Sequence, residues 1–140
     1  MEVARSEKGI FLSQRKYVLD LLKETGMLDS KPMSTPMEPN KRLSHDKDVA
    51  AVDKGVYQRL VGKLIYLAHT RPDISYSVGI ASQHMHNPNE EHMEMVYRIL
   101  KYLKFSPRNG LYTDSSWASE LTERRLTTGY GTYVWGNIVT

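Results

Sequence analysis

Three histidines, His84, His86 and His92, lie close together in the chain, and neutral imidazole is a good zinc ligand. A closed zinc site needs four donors, however, and the sequence contains no cysteine. Pro88 also breaks the helical pattern between them, so these histidines read as polar surface around a helix junction. Asp46-Lys47-Asp48 begins like a calcium loop. Ala51 then stands where the turn glycine is needed and Tyr57 where the closing glutamate is needed, which excludes an EF-hand. Gly129-Tyr130-Gly131 precedes no helix, so it reads as a strand lying against a neighbouring backbone rather than a phosphate loop. Nowhere in the chain do two aspartates stand side by side.

Positive charge offers a different chemistry. Arg98, Lys101, Lys104 and Arg108 form the densest basic cluster, with Arg124 and Arg125 further on. Such a cluster permits phosphate contact through counterion release. It also has a structural reason to exist, because cations near a helix C-terminus oppose the macrodipole. A net charge of +3 and a pI near 9.1 are only mildly basic, whereas a dedicated nucleic-acid binder concentrates its charge in a stripe.

The elements that must position these residues are partly legible. A length of 140 residues fits one ordinary domain, with 40% hydrophobic residues and a mean hydropathy of −0.50. No apolar run approaches the roughly 20 residues needed to span a bilayer, and residues 1–25 lack a signal peptide's apolar centre. The absence of cysteine suits a reducing compartment.

Residues 1–12 read as a strand broken by a polar turn at residues 5–8. A helix follows, with Ser13 as cap, Tyr17, Val18, Leu21 and Leu22 as its apolar stripe, and Gly26 ending it in the left-handed conformation. Residues 27–52, punctuated by Pro32, Pro36 and Pro39, form a loop that either lies extended over the surface or separates two sub-units. The strongest helical pattern covers residues 54–69, with Asp53 as cap and Val56, Leu60, Val61, Leu64, Ile65 and Ala68 inward. Pro72 forces a corner before a helix over residues 73–84, which presents Ile74, Val78 and Ala81. Asn87, Pro88 and Glu90 read as cap, first helical residue and capping-box partner of another helix reaching about Phe105. That helix places Met93, Val96, Tyr97 and Leu100 inward. After Gly110 the period switches to two, giving strands over residues 111–118 and 127–135 and a hairpin turn at Gly136-Asn137. The fold class is α+β: a bundle of three to four helices followed by an incomplete antiparallel sheet.

Three stretches, residues 57–67 (YQRLVGKLIYL), 70–74 (TRPDI) and 124–130 (RRLTTGY), resemble the copia-type (Ty1/copia) retrotransposon polyprotein in its reverse transcriptase and RNase H region. Tyr57, Gln58, Arg59, Val61, Gly62, Leu64 and Tyr66 match the family's helix after the polymerase palm. Ser82, Gln83, Met85 and Pro88 fit its S-Q-x-M-x-x-P, and His92 with residues 97–104 (YRILKYLK) fits its next helix. Thr113, Asp114, Trp117 and Ala118 match the opening of its RNase H part. Two departures stand out. Serine occupies position 116, where the family commonly has aspartate, and only Leu111, Tyr112 and Thr113 separate Gly110 from Asp114, where the family has a longer strand-turn-strand.

The resemblance implies a division into the end of the polymerase palm and first helix (1–26), a Pro-rich loop (27–52), a thumb- and connection-like helical bundle (53–110) and truncated RNase H-like strands (111–140). It makes Asp114 the remnant of the first RNase H carboxylate. In that chemistry several carboxylates hold two metal ions about the scissile phosphate, and Mg²⁺ is the parent family's cofactor. One carboxylate cannot hold Mg²⁺, and Glu120 and Glu123 lie in a turn rather than at ligand positions, so no cofactor is expected in this chain. The paired-aspartate motif of the parent RNA-directed DNA polymerase is missing too. The expectation is therefore a fragment or degenerate copy without catalysis of its own, or else a small binding module reused from a retroelement. Its expected partners are the backbone of an RNA/DNA hybrid or duplex, held weakly through Arg98, Lys101, Lys104 and Arg108, and the remaining polyprotein segments. No membrane partner is expected, and family resemblance implies an intracellular location, cytoplasmic or nuclear.

Overall fold

A computed structural model describes residues 1–39, 49–114 and 134–135. Strand β1 (Glu2–Ser6) turns at Glu7 and Lys8 into β2 (Gly9–Ser13), an antiparallel hairpin with Ser6 opposite Gly9. Helix α1 (Arg15–Glu24) follows at once. Gln14, not Ser13, is its N-cap residue, because Ser13 still belongs to β2 and is buried there. Gly26 closes the helix with φ +70°. Its N–H donates to the Lys23 carbonyl, and Met27 N–H reaches the Leu22 carbonyl at 2.8 Å, the double closure of a left-handed C-terminal turn. Met27 then packs against the core.

Helix α2 (Lys54–Leu67) starts where Asp53 accepts from Val56 N–H at 2.9 Å. Its buried stripe is Tyr57, Leu60, Val61, Leu64 and Leu67. Val56 and Ile65, read as inward from the sequence, are 49% and 42% exposed, since the steps from Tyr57 to Leu67 turn them away from the core. A 3₁₀ turn (Pro72–Ile74) leads into α3 (Ser75–Ser82), and Ile74, Val78 and Ala81 are all buried as expected.

Helix α4 (Glu90–Phe105) starts later than the Asn87-Pro88-Glu90 pattern suggests. Val52 N–H donates to the Pro88 carbonyl and Glu90 N–H to the Ala50 carbonyl, so backbone pairing with the end of the loop before α2 keeps Pro88 and Asn89 out of the helix. The cap passes to Asn89, and His92 completes the capping box. Met93, Val96, Ile99, Leu100 and Leu103 face inward, whereas Tyr97 lies on the flank at 37% exposure.

Helix α4 packs on α1, α2 and α3, and one apolar core runs from Val18 on α1 to Leu103 on α4. The loop after α1 takes the first of its two alternatives as far as residue 39, lying along α4. Met33 N–H donates to the Lys101 carbonyl, and Lys104 Nζ donates to the Ser30 carbonyl.

Strand β3 (Gly110–Asp114) does not begin a separate sheet. It pairs antiparallel with β2, giving the strand order β1-β2-β3-β4, with β4 (Val134–Trp135) pairing residues 111 and 112. The sheet is thus built from both ends of the chain, and the segment after Gly110 gains the partner that the sequence left unidentified. A Cβ on Gly110 would stand 2.0 Å from the Leu12 carbonyl oxygen, so only glycine allows this approach. The expected strand beyond residue 114, the hairpin turn at Gly136-Asn137, Asp46-Lys47-Asp48 and Gly129-Tyr130-Gly131 lie outside the described residues.

One ionic group sits inside this architecture. Arg71 is 1% exposed and spends its donors on a short list of acceptors. Nε and Nη2 fork onto the two carboxylate oxygens of Asp73 at 3.0 and 2.8 Å, Nη1 reaches the Ser106 carbonyl at 2.6 Å, and Nη2 also reaches Ser106 Oγ. The Tyr102 hydroxyl donates to the same Asp73, and burial, reinforced by that bond, raises its pKa so that it stays a donor. Gln14 Nε2 bonds the neighbouring Thr70 Oγ1 at 2.8 Å. Together these bonds tie the ends of α2 and α4 and the start of α1 to one corner.

Arg71→Met should cost about 3–5 kcal/mol in chemical denaturation, because it strands the Asp73 carboxylate. Leu64→Ala should cost about 2–5 kcal/mol through the cavity it leaves. Arg71→Lys should fall well short of the native stability, since an ammonium cannot reproduce the fork. Wild-type stability in Arg71→Lys would show that the fork is dispensable.

Candidate nucleic-acid interface

The basic residues of α4 were the sequence's candidates for phosphate contact, and the structure gives two of them internal partners. Arg98 donates from Nε to the Thr35 carbonyl at 3.1 Å and from Nη2 to Thr35 Oγ1 at 2.8 Å, with Glu38 3.5 Å from Nη1. Lys104 holds the same loop through Ser30. Lys101 is half-buried beside the loop strand that its carbonyl accepts, while Arg108 is exposed beyond the end of the helix. Half of the cluster therefore fastens the loop of residues 27–39 to α4. Nothing in their spacing distinguishes that role from phosphate contact.

Asp114 is the last residue of β3, across from Gly9. Ser116, Trp117, Glu120, Glu123, Arg124 and Arg125 lie outside the described residues. Among the described residues no group of three or more His, Cys, Asp or Glu side chains could hold a metal ion.

The histidines have a different job from the one their ligand chemistry suggests. His84 and His92 stack with ring centroids 3.8 Å apart and planes within 10°. Asn89 N–H donates to His92 Nδ1 at 3.0 Å while His92 N–H donates to Asn89 Oδ1 at 3.1 Å, so each residue caps the other. Nδ1 must carry a lone pair to accept that bond, which fixes the neutral ring. The reading of these histidines as polar surface at a helix junction is corrected for His92, which is buried and completes the capping box of α4.

Sequence reasoning also missed the Tyr57 hydroxyl, which donates to the Ala81 carbonyl at 2.6 Å across α2 and α3, and Gln58 Nε2, which bonds the Met85 carbonyl. Burial pushes the Tyr57 phenol up to about 12, so it remains a donor throughout the working range. A tyrosine and a glutamine opening a helix carry no local sign of such distant acceptors. Arg71 could have been noticed, because an aspartate two residues on, across a proline corner, is well placed to share its burial.

With this architecture in view, comparison with known proteins sets the class. The chain is 42% identical over 146 residues to the retrovirus-related Pol polyprotein from transposon RE1 of Arabidopsis thaliana, matching 96% of this chain and 10% of that polyprotein. The corresponding polyprotein from transposon TNT 1-94 of Nicotiana tabacum is 34% identical over 144 residues, with 90% and 11% covered. Relatives at 34–42% identity over most of this chain are thus retrovirus-related Pol polyproteins from copia-type transposons. It spans about a tenth of the length of these Pol relatives. It is also 39% identical over 151 residues to an uncharacterised mitochondrial protein of Arabidopsis thaliana, covering 99% of this chain and 62% of that protein. No family model matches the chain, and no solved structure matches it. Among the described residues no helix is long and apolar enough to cross a membrane.

The histidine pair generates a pH prediction with a definite sign. Burial first, then the neighbouring His84, lowers the His92 pKa below its ordinary value, with Glu91 opposing. The unfolded chain therefore binds a proton more readily than the folded one. The stability contributed by neutral His92 is present above the unfolded imidazole pKa of about 6.5 and is lost as pH falls through the lower folded value. The thermal midpoint should drop on acidification through this range, and His92→Gln should flatten the drop, since glutamine also serves a capping box at this position. An unchanged pH profile in His92→Gln would assign the dependence to other groups.

Proposed function

We propose that these residues form the helical connection between the polymerase and RNase H parts of a copia-type element, and that they neither transfer nucleotides nor cleave RNA by themselves. The match to the Pol polyprotein over 96% of the chain carries this reading. Two features of the chain support it. No pair of adjacent aspartates exists to hold polymerase metals, and Asp114 is the one residue at a family RNase H carboxylate position. The proposed partners are the neighbouring polyprotein segments and, weakly, the phosphate backbone of a hybrid or duplex. Among the described residues, Lys101 and Arg108 are the cluster members whose side chains have no bond to the α4-covering loop, and they are the contacts favoured for that backbone. The proposed setting is intracellular, where such an element is copied.

A second reading, a self-contained binding module of retroelement origin, draws on a specific observation. Pairing of β2 with β3 closes the sheet on residues from both ends of the chain, which suits independent folding.

Incubated with primer-template, nucleotides and Mg²⁺, the protein should neither extend the primer nor cut the RNA of a hybrid. Backbone binding, followed by gel shift, should be indifferent to sequence and fall steeply as salt rises. Activity above background that disappears in Asp114→Asn would overturn the non-catalytic reading.

A further inference from the structure

Arg15 opens α1 with a guanidinium whose Nε is buried and has no hydrogen-bond partner. A buried donor on a charged group is costly to leave without an acceptor. The surroundings add to that cost. Arg15 is the first residue of a ten-residue helix, where the macrodipole is already positive. No acidic residue occupies that first turn, and Gln14, the N-cap residue, gives its side chain to Thr70 instead of to the helix amides.

Arg15 lines an open cleft of about 290 Å³ between the β1–β2 hairpin and the corner that follows α4. Exposed Arg108 lines the same cleft. Two guanidiniums therefore share one concavity, and among the described residues neither forms an ion pair. Glu2 is the carboxylate in the wall, on the fully exposed strand β1, and it pairs with neither arginine. Like charges facing one cavity and a helix N-terminus without a counter-charge would both be relieved by one oxyanion.

We propose that this cleft binds a phosphate group, gripped by the Arg15 guanidinium and closed over by Arg108. Arginine suits the task because its planar fork matches the spacing of phosphate oxygens. The phosphate is either free inorganic phosphate or one group of a nucleic-acid backbone. For the second source the inference rests on the backbone-contact reading above, and it moves the principal contact from the outer face of α4 to this cleft.

The test is a titration of the full chain, followed by amide NMR and by the thermal midpoint, with inorganic phosphate in one arm and a short DNA duplex in the other. Phosphate should shift amides of β1, β2 and the first turn of α1 and raise the midpoint. Arg15→Gln and Arg108→Gln should each weaken binding about tenfold or more, as expected for loss of a charge-assisted bond. Arg108 is exposed, so its variant keeps the test independent of folding, and Lys54→Gln, at an exposed residue outside the cleft, serves as the control that leaves phosphate binding in place. Duplex binding that competes with phosphate and weakens in the same variants would support the cleft and name the backbone as source. Phosphate binding without duplex binding would support the cleft with free phosphate as its ligand and would sink the backbone-contact reading alone. Absence of phosphate binding, or equal binding by both cleft variants, would overturn the proposal, whatever the duplex does.

Discussion

A guanidinium sealed from water is tolerable only when its charge is matched and its donors find acceptors, and Arg71 sets that condition for the whole bundle. Its partners come from different places: Asp73 from the corner just after it, Ser106 from the end of α4, and Tyr102 one turn earlier on the same helix. Satisfying them fixes where α4 ends relative to the corner that follows α2. That in turn delivers the chain to Gly110 at the height where β3 can lie against Leu12. The neighbouring Gln14–Thr70 bond anchors the β2–α1 junction to the same corner. The sheet and the bundle are thus registered to each other by polar bonds, with the apolar core filling the space they define.

Much of this was written locally and could be read there. The stripes of α1, α2 and α3, the Asp53 cap and the left-handed Gly26 follow from periodicity and capping chemistry, which depend on near neighbours alone. The failures share a cause. Asn87-Pro88-Glu90 is a sound helix start, yet backbone bonds from residues 50–52 hold Pro88 and Asn89 outside the helix and move the N-cap to Asn89. Val56, Ile65 and Tyr97 are apolar or aromatic residues on the edges of stripes, and only the packed neighbours decide which edge is wet. Position 114 was singled out by resemblance alone, and its backbone register opposite Gly9 is what the structure adds.

Charge was the least legible property. Arg98 and Lys104 look from sequence like part of a basic face awaiting phosphate, but their donors reach Thr35, Glu38 and Ser30 of a loop sixty or more residues earlier. A histidine cluster that suggests metal chemistry becomes a capping device once His92 Nδ1 is seen accepting from Asn89. In both cases the side chain's chemistry was judged correctly and its partner was not, because the partner comes from tertiary structure. Arg15 presents the reverse case, a residue with no sequence signal that draws interest because the fold leaves its Nε without an acceptor.

The pairing of β2 with β3 has a consequence for the order of assembly. The Tyr112 hydroxyl donates to the Lys8 carbonyl across a separation of 104 residues, and every rung between these strands closes a loop of similar length. Closing such a loop costs entropy that local helix contacts do not incur, and contacts of high sequence separation form late. During synthesis from the N-terminus, the first hairpin leaves the ribosome long before its partner strand exists. It must wait through the making of helices α1 to α4 with the β2 edge open, and an open edge can pair with any strand that comes near. The sheet that joins the two ends is therefore the last part of the fold to close and the part most exposed to pairing with the wrong chain.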